Sequence, residues 1–396
     1  MRPGPSLTML LVCALAGCAW RGTATRDDEP TLKSLAGRQI QVAEDAGIAR
    51  DEARAIEAYR KFLEAAPNAP QRAEAMRRLG DLEMDTADNR IAGGQGGGSP
   101  EDYRAAIIRY QEFLRSYPSD PGNDRVLYQL ARAHEQGGEL EVALVTLDRL
   151  VREHPQTDYL EEAQFRRGEL LFTARDYPKA ELAYTAVLQG DASKPLYERS
   201  LYMQGWSLFK QGRLEEALNS FFGVLDRKVA DREGDDLESM AGLTRADREL
   251  VEDSFRVMSL SLVNLQGAET IPAYITSDTR RSYEFRVYQQ LGEFYLKQER
   301  VKDAADTFGL FARRNPLHAQ APQLQARVIV IYEQTGFANL ALEAKKDYVS
   351  RYGIDGEFRQ ANPDGWERAQ PLVKTHLAEL ARHYPASAQK SRSSAD

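Results

Sequence analysis

Thiols are almost missing from this chain: of 396 residues only Cys13 and Cys18 are cysteines, and both fall in the first eighteen. The rest can build neither a disulfide framework nor a cysteine-based metal site. Histidine is scarce too, with His134, His154, His318, His376 and His383 scattered and no HExxH pair to hold zinc. No long Lys/Arg run occurs and the net charge is −8, so the basic face that neutralises phosphates is lacking and a nucleic-acid partner is excluded. A GxSxG nucleophile elbow is also absent. The longest apolar stretch near the N-terminus, Leu7 to Leu15, falls well short of the roughly 20 residues that a membrane span needs. From residue 35 on, strand-like alternation is almost absent and helical periodicity takes its place.

What is present is repetition. ALVTLDRLVREHP (143–155) aligns with AIIRYQEFLRSYP (106–118), AIEAYRKFLEAAP (55–67) and AADTFGLFARRNP (304–316). Each begins with alanine, has a large apolar residue four and seven positions on, and has proline twelve on. The small residue allows close helix approach, the apolar pair continues a buried face, and proline stops the helix. Upstream, Leu79-Gly80, Leu130-Ala131 and Leu291-Gly292 mark the first helix of each pair. Ala131, Gly168 and Gly205 are spaced by 37, as are Ala106, Ala143, Ala180 and Ala217, and Ala304 to Ala341. Units fit at 36–69, 73–120, 124–157, 161–194, 198–231, 285–318 and 322–355.

This pattern resembles the tetratricopeptide repeat (TPR), a degenerate W-x2-L-G-x2-Y…A-x3-F…P unit. The resemblance implies an all-α fold, a right-handed solenoid of antiparallel helix pairs with about 37 residues per repeat. It is interrupted twice. DTADNRIAGGQGGGSPEDY (85–103) adds about 14 residues between the helices of one unit and is expected to be a flexible loop. Its glycines do not cradle phosphate, since no Lys-Ser/Thr pair follows them. The second break, 232–284, holds an acidic loop (DREGDDLES) and a helix whose partner is truncated at Pro272; a decayed unit that bends or divides the solenoid is expected. After a final repeat block (285–384), the helix at 365–384 is expected to cap the array through Leu372, Leu377 and Leu380, or to lead into further repeats, and 385–396 to trail off as a polar tail.

The N-terminus reads as an export signal: Arg2, a short apolar stretch, then Leu15-Ala16-Gly17-Cys18. That ending resembles the lipobox of bacterial lipoproteins, which implies cleavage after residue 17, acylation of Cys18 and a membrane-tethered chain of net charge −9. Ala19 after the cysteine implies, by the family's sorting rule, the periplasmic face of the outer membrane. Residues 18–34 form the tether, of which 19–30 spans at most about 40 Å.

In TPR proteins positions two, five, nine and twelve of the first helix tend to face a concave groove. Mapped here they give Arg125 and Arg199; Tyr128, Phe165 and Tyr202; Arg132, Glu169 and Trp206; Glu135, Phe172 and Phe209. Aromatics flanked by arginine suit a binding hot spot for a protein partner. The competing expectation is that these rings pack between repeats. The expected role is a non-catalytic envelope scaffold without cofactor or metal; the alternatives are a peptidoglycan-binding lipoprotein and part of a lytic transglycosylase system, although nothing in 350–396 resembles a catalytic lobe. Paired carboxylates such as Glu161-Glu162 and Asp235-Asp236 are expected to be solvated.

Overall fold

A computed structural model describes the backbone of residues 46–95, 97–230, 240 and 242–393, with side chains within 52–384. The leader 1–17, Cys18, the tether 18–34 and the acidic loop with Asp235-Asp236 lie outside the described residues. Contacts divide the chain into two units, Met1–Arg54 and Ala55–Asp396; the repeats lie in the second. Helix follows helix and no strand occurs among the described residues: α1 (Ala46–Ala65), α2 (Arg72–Ala92), α3 (Pro100–Ser116), α4 (Asn123–Gln136), α5 (Leu140–Glu153), α6 (Leu160–Thr173), α7 (Tyr177–Leu188), α8 (Pro195–Lys210), α9 (Leu214–Lys228), α10 (Arg245–Val263), a 3-10 helix (Gly267–Tyr274), α11 (Asp278–Lys297), α12 (Val301–Arg314), α13 (Ala321–Gln334), α14 (Ala338–Tyr352), α15 (Glu357–Ala361) and α16 (Pro363–Ser393). The second unit is thus all-α, a succession of helices that pack on their neighbours in the chain.

The repeat signature explains the pairing. Helices α1, α3, α5 and α12 each end two residues before the proline of their motif, where the ring forbids a further helical turn. Pairs α2/α3, α4/α5, α6/α7, α8/α9, α11/α12 and α13/α14 pack face to face, and the first helices of successive units also touch, α2 on α4, α6 on α8 and α8 on α10. Within a pair the contact is a glycine under a ring. A methyl group on Gly80 would lie 2.7 Å from the Tyr110 ring, on Gly168 2.5 Å from Tyr184, on Gly205 3.0 Å from Phe221 and on Gly292 2.4 Å from Phe308. These rings are fully buried, as are Phe113 and Phe311 one turn further on. The large residue four positions after the motif alanine therefore fills the space that the missing side chain leaves.

Both interruptions differ from expectation. The first part of the insertion at 85–103 extends a helix instead of forming a loop: α2 runs to Ala92, with Met84 and Ala87 buried. Asp88 and Gln136 bind the Tyr103 hydroxyl at 2.9 and 2.8 Å, so the added turn gains partners. Of the described residues between the two helices, 93–95 and 97–99, Gly94 and Gly98 have positive φ. Ser99 and Asp102 form a capping box that restarts the chain as α3. The decayed unit does not divide the core. Its helix α10 and 3-10 helix contribute Val251, Phe255, Met258, Leu262, Ile271 and Tyr274 to the largest apolar cluster, which runs from Leu208 to Val373. Pro272 sits inside the 3-10 turn, and the lost second helix is replaced by stacking of Tyr274 on Phe222, ring centroids 5.3 Å apart. The core clusters separate earlier, around α6 and α7.

At the other end α16 continues to Ser393, past the expected boundary at 384. Ala369, Val373, His376 and Leu380 face inward, while Leu372 and Leu377 are exposed. Of the three leucines assigned to the cap only Leu380 is buried; Val373 and Ala369 do the rest, because they share its helical face. The Trp366 indole donates to the Tyr352 carbonyl at 3.0 Å, and Lys345 links Glu333 and Glu379 at 2.5 and 2.7 Å.

Candidate interaction face

The nine expected groove residues lie on α4, α6 and α8, the first helices of three successive pairs, and they do not share one fate. Tyr128 and Phe165 are buried. Tyr128 stacks on Tyr159 with ring centroids 4.7 Å apart, and Phe165 meets Tyr184 edge-on at 5.8 Å. Tyr128 is thus packed between repeats, by Tyr159 at the start of the next unit, whereas Phe165 is packed within its own pair, by Tyr184 of α7. Burial, with a hydrogen bond to Glu162 second, pushes the Tyr128 hydroxyl up to about 12.

The arginines join the first helices to one another. Asp81 of α2 binds Arg125 of α4 at 2.7 Å, Asp88 of α2 approaches Arg132 of α4 to 3.8 Å, Glu135 of α4 binds Arg166 of α6 at 2.9 Å, and Glu169 of α6 binds Arg199 of α8 at 3.1 Å. Glu293 of α11 and Arg327 of α13 repeat the pattern further along. This ladder balances its own charge. Burial pulls the Arg166 guanidinium downward, but Glu135 and Glu162 more than offset it and hold the group charged. Glu169 is raised by burial, opposed by Arg199 and reinforced by the Glu135 carboxylate.

The remaining aromatics converge on α8. Tyr202 donates its hydroxyl to Asp253 of α10 at 2.5 Å, and the Trp206 indole donates to the same carboxylate oxygen at 3.2 Å. Arg256 closes on the other oxygen at 2.5 Å and lies over the Trp206 ring, 5.6 Å from its centroid. Lys210 covers the same ring at 5.5 Å, and Phe209 packs edge-on against it at 5.6 Å. Tyr202, Trp206 and Phe209 are half-buried, while Arg199 and Lys210 are exposed. Phe172, also half-buried, meets Tyr177 edge-on at 5.2 Å. Tyr202 is pushed up to about 12 by burial and by Asp253. Of the expected stripe, Arg199 is exposed and Phe172, Tyr202, Trp206 and Phe209 are half-buried, the last two lying beside Lys210 and Arg256.

Asp253, Arg256, Lys210 and Arg166 were not in the sequence-derived set. Arg166 carried a signal, since Glu135 and Glu169 were already placed on the same face. Asp253 carried none: it lies 51 residues beyond Tyr202, across a break that destroys the 37-residue register. His134 and His376, for their part, contact Glu139 at 2.7 Å and Glu379 at 3.3 Å, and burial lowers His318 between the Phe285 and Phe311 rings.

Residues 101–157 and 165–231 match the family model of the tetratricopeptide repeat. Among curated proteins none matches the chain. Solved structures of similar fold include MamA, 23% identical over 45% of this chain and 90% of that one with a TM-score of 0.34. A tetratricopeptide repeat protein from Parabacteroides merdae is 14% identical over 75% of this chain and 98% of that one, with a TM-score of 0.33. The C-terminal part of a TPR repeat-containing protein from Cytophaga hutchinsonii is 12% identical over 80% of this chain and 95% of that one, with a TM-score of 0.38. With their helix pairs and the glycine-on-ring contact, residues 101–157 and 165–231 carry tetratricopeptide repeats.

Proposed function

We propose that the chain is a lipid-anchored scaffold at the periplasmic face of the outer membrane that holds a protein partner of the cell envelope on its first-helix face, around Trp206. The lipobox-like Leu15-Ala16-Gly17-Cys18 and Ala19 support the anchor and its destination. The observation that carries the binding reading is the half-buried Trp206–Phe209 pair under Lys210 and Arg256. Asp253 is already taken by three donors, so the residual charge at the patch is positive. An apolar segment bearing a carboxylate fits it. The glycan alternative loses support, because two of the rings that would stack on sugars, Tyr128 and Phe165, are buried.

Crosslinking in the native envelope identifies the partner, and the variant Phe209→Ala with Lys210→Glu tests the site. Loss of one hot spot of ~2 kcal/mol lowers affinity about 30-fold. Partner recovery is expected to collapse while circular dichroism is unchanged, because neither residue belongs to the fully buried core. Undiminished recovery would place the partner elsewhere. For the anchor, Cys18→Ser is expected to move the chain from the membrane to the soluble fraction and to abolish incorporation of labelled palmitate. Retention of the serine variant in membranes would refute the lipid tether.

A further inference from the structure

The second helices carry a surface that this role does not use. Ala106, Ala143 and Ala180 are buried completely at the pair contact, and the residue two positions after each points to the opposite side of its helix. Those residues are Ile108, Val145 and Leu182, exposed to 45%, 66% and 67%. They repeat at the same 37-residue spacing on α3, α5 and α7, with Val142 and Leu140 exposed beside Val145. An apolar row in register on three successive second helices is not the scatter of single exposed residues found on any surface.

The charges around this row identify its occupant. Four residues before and after Ile108 stand Arg104 and Glu112; seven before and after stand Glu101 and Arg115. Four residues before and after Val145 stand Glu141 and Arg149, and four before and after Leu182 stand the uncharged Pro178 and Ala186. Offsets of four and seven keep a residue on the same helical face. If a second helix with the same sequence lies antiparallel across the row, each position before the centre meets its counterpart after the centre. Every charged position at an offset of four then faces its opposite, as do Glu101 and Arg115, while Arg152, seven after Val145, faces the uncharged Gly138. A parallel arrangement would set Glu141 against Glu141 and Arg149 against Arg149.

We infer that the outer face of α3, α5 and α7 pairs with a second copy of this chain about a two-fold axis running across the helices beside Val145, with Ile108, Val145 and Leu182 as the apolar seam and Glu141–Arg149 and Arg104–Glu112 pairs flanking it. In the single chain these arginines and acids are engaged only with neighbours on their own helices: Arg104 with Glu101 at 3.0 Å, Arg149 with Glu153 at 2.8 Å, and Glu112 with Arg109 at 2.7 Å. Such exposed pairs are worth little, so exchanging them across an interface costs little. A self-complementary patch of this kind is what an isologous dimer requires.

Sedimentation velocity of the full chain in mild detergent tests the pairing. The unmodified chain is expected to be dimeric at micromolar concentration and to dissociate on raising salt. Glu141→Arg alone and Arg149→Glu alone each set like charges together twice across the axis, and each is expected to weaken the dimer by about 10-fold or more. Glu141→Arg combined with Arg149→Glu restores opposite charges and is expected to restore the dimer. All three variants alter exposed side chains, and circular dichroism checks that they fold. A monomeric unmodified chain, single reversals that leave the dimer intact, or a double reversal that fails to restore it would each overturn the inference.

Discussion

Gly292→Ala is expected to destabilise the solenoid by about 2 kcal/mol, the opposite of what helix propensity alone dictates. Alanine in place of glycine inside a helix is otherwise favourable by about 1 kcal/mol. Here the new methyl would sit 2.4, 2.5 and 2.9 Å from three atoms of the Phe308 ring. Phe308 cannot swing away, since it is fully buried and the Arg327 guanidinium stands 5.8 Å from its centroid. The chain itself contains the compensating change: sixteen residues separate Gly292 from Phe308, and at the same spacing Ala131 is followed by Leu147, both buried. Adding Phe308→Leu to Gly292→Ala is therefore expected to recover stability that the alanine removed, with a coupling of roughly 1–2 kcal/mol between the two sites. Urea unfolding of both single variants and the double, followed by circular dichroism, reads this directly. Additive losses, or a neutral Gly292→Ala, would show that the glycine is not set by the ring above it.

The same pair shows why so much of the fold was legible. A glycine or alanine and a ring or leucine sixteen positions on give the helix pairing, and in the units at Ala131 and Gly292 a proline eight beyond, Pro155 and Pro316, gives the end of the second helix as well. Where the count of residues changes, legibility fails in a particular way. In the unit with the insertion, Tyr110 still covers Gly80, although thirty residues separate them. About half of the added residues were absorbed as a longer α2, because Met84 and Ala87 could still be buried and Asp88 could reach Tyr103. The glycine-rich composition advertised a loop and concealed the helix before it.

The interaction face was legible only as positions. Register placed Tyr128, Phe165 and Tyr202 on one line, but depth is set by the neighbour. Tyr159 covers Tyr128 and Tyr184 abuts Phe165, whereas beyond Tyr202 the regular succession stops and α10 arrives with a carboxylate. Asp253 thus does two things that no periodic reading could supply: it fixes the Tyr202 and Trp206 side chains and it brings Arg256 over the indole. The irregular unit is part of the candidate site because it is irregular.

Seven tyrosines are fully buried in this core, and alkaline pH is expected to unfold the chain in a single steep transition. Tyr103, Tyr110, Tyr184, Tyr283, Tyr288, Tyr348 and Tyr352 are all fully buried. Burial raises every one of them above the ordinary phenol value, Tyr103 to about 12, and carboxylates beside Tyr110 and Tyr283 add to the shift. Because the folded state holds these protons more tightly than the unfolded chain, the associated stability is fully present below about pH 10 and is lost as pH rises above it. Each such group contributes a slope of about 1.4 kcal/mol per pH unit once the unfolded tyrosines ionise, so seven acting together reach on the order of 10 kcal/mol per pH unit. That is comparable to the whole stability of an ordinary domain. Tyrosinate absorbance and far-ultraviolet circular dichroism should therefore change together between pH 10 and 12, with the buried phenols ionising only as helix is lost. Arginine ladders such as Glu135–Arg166 stay charged through this range and do not drive the transition. Helix that persists to pH 12 while all phenols titrate near 10 would mean that these side chains are in contact with water and that the register of the core is wrong.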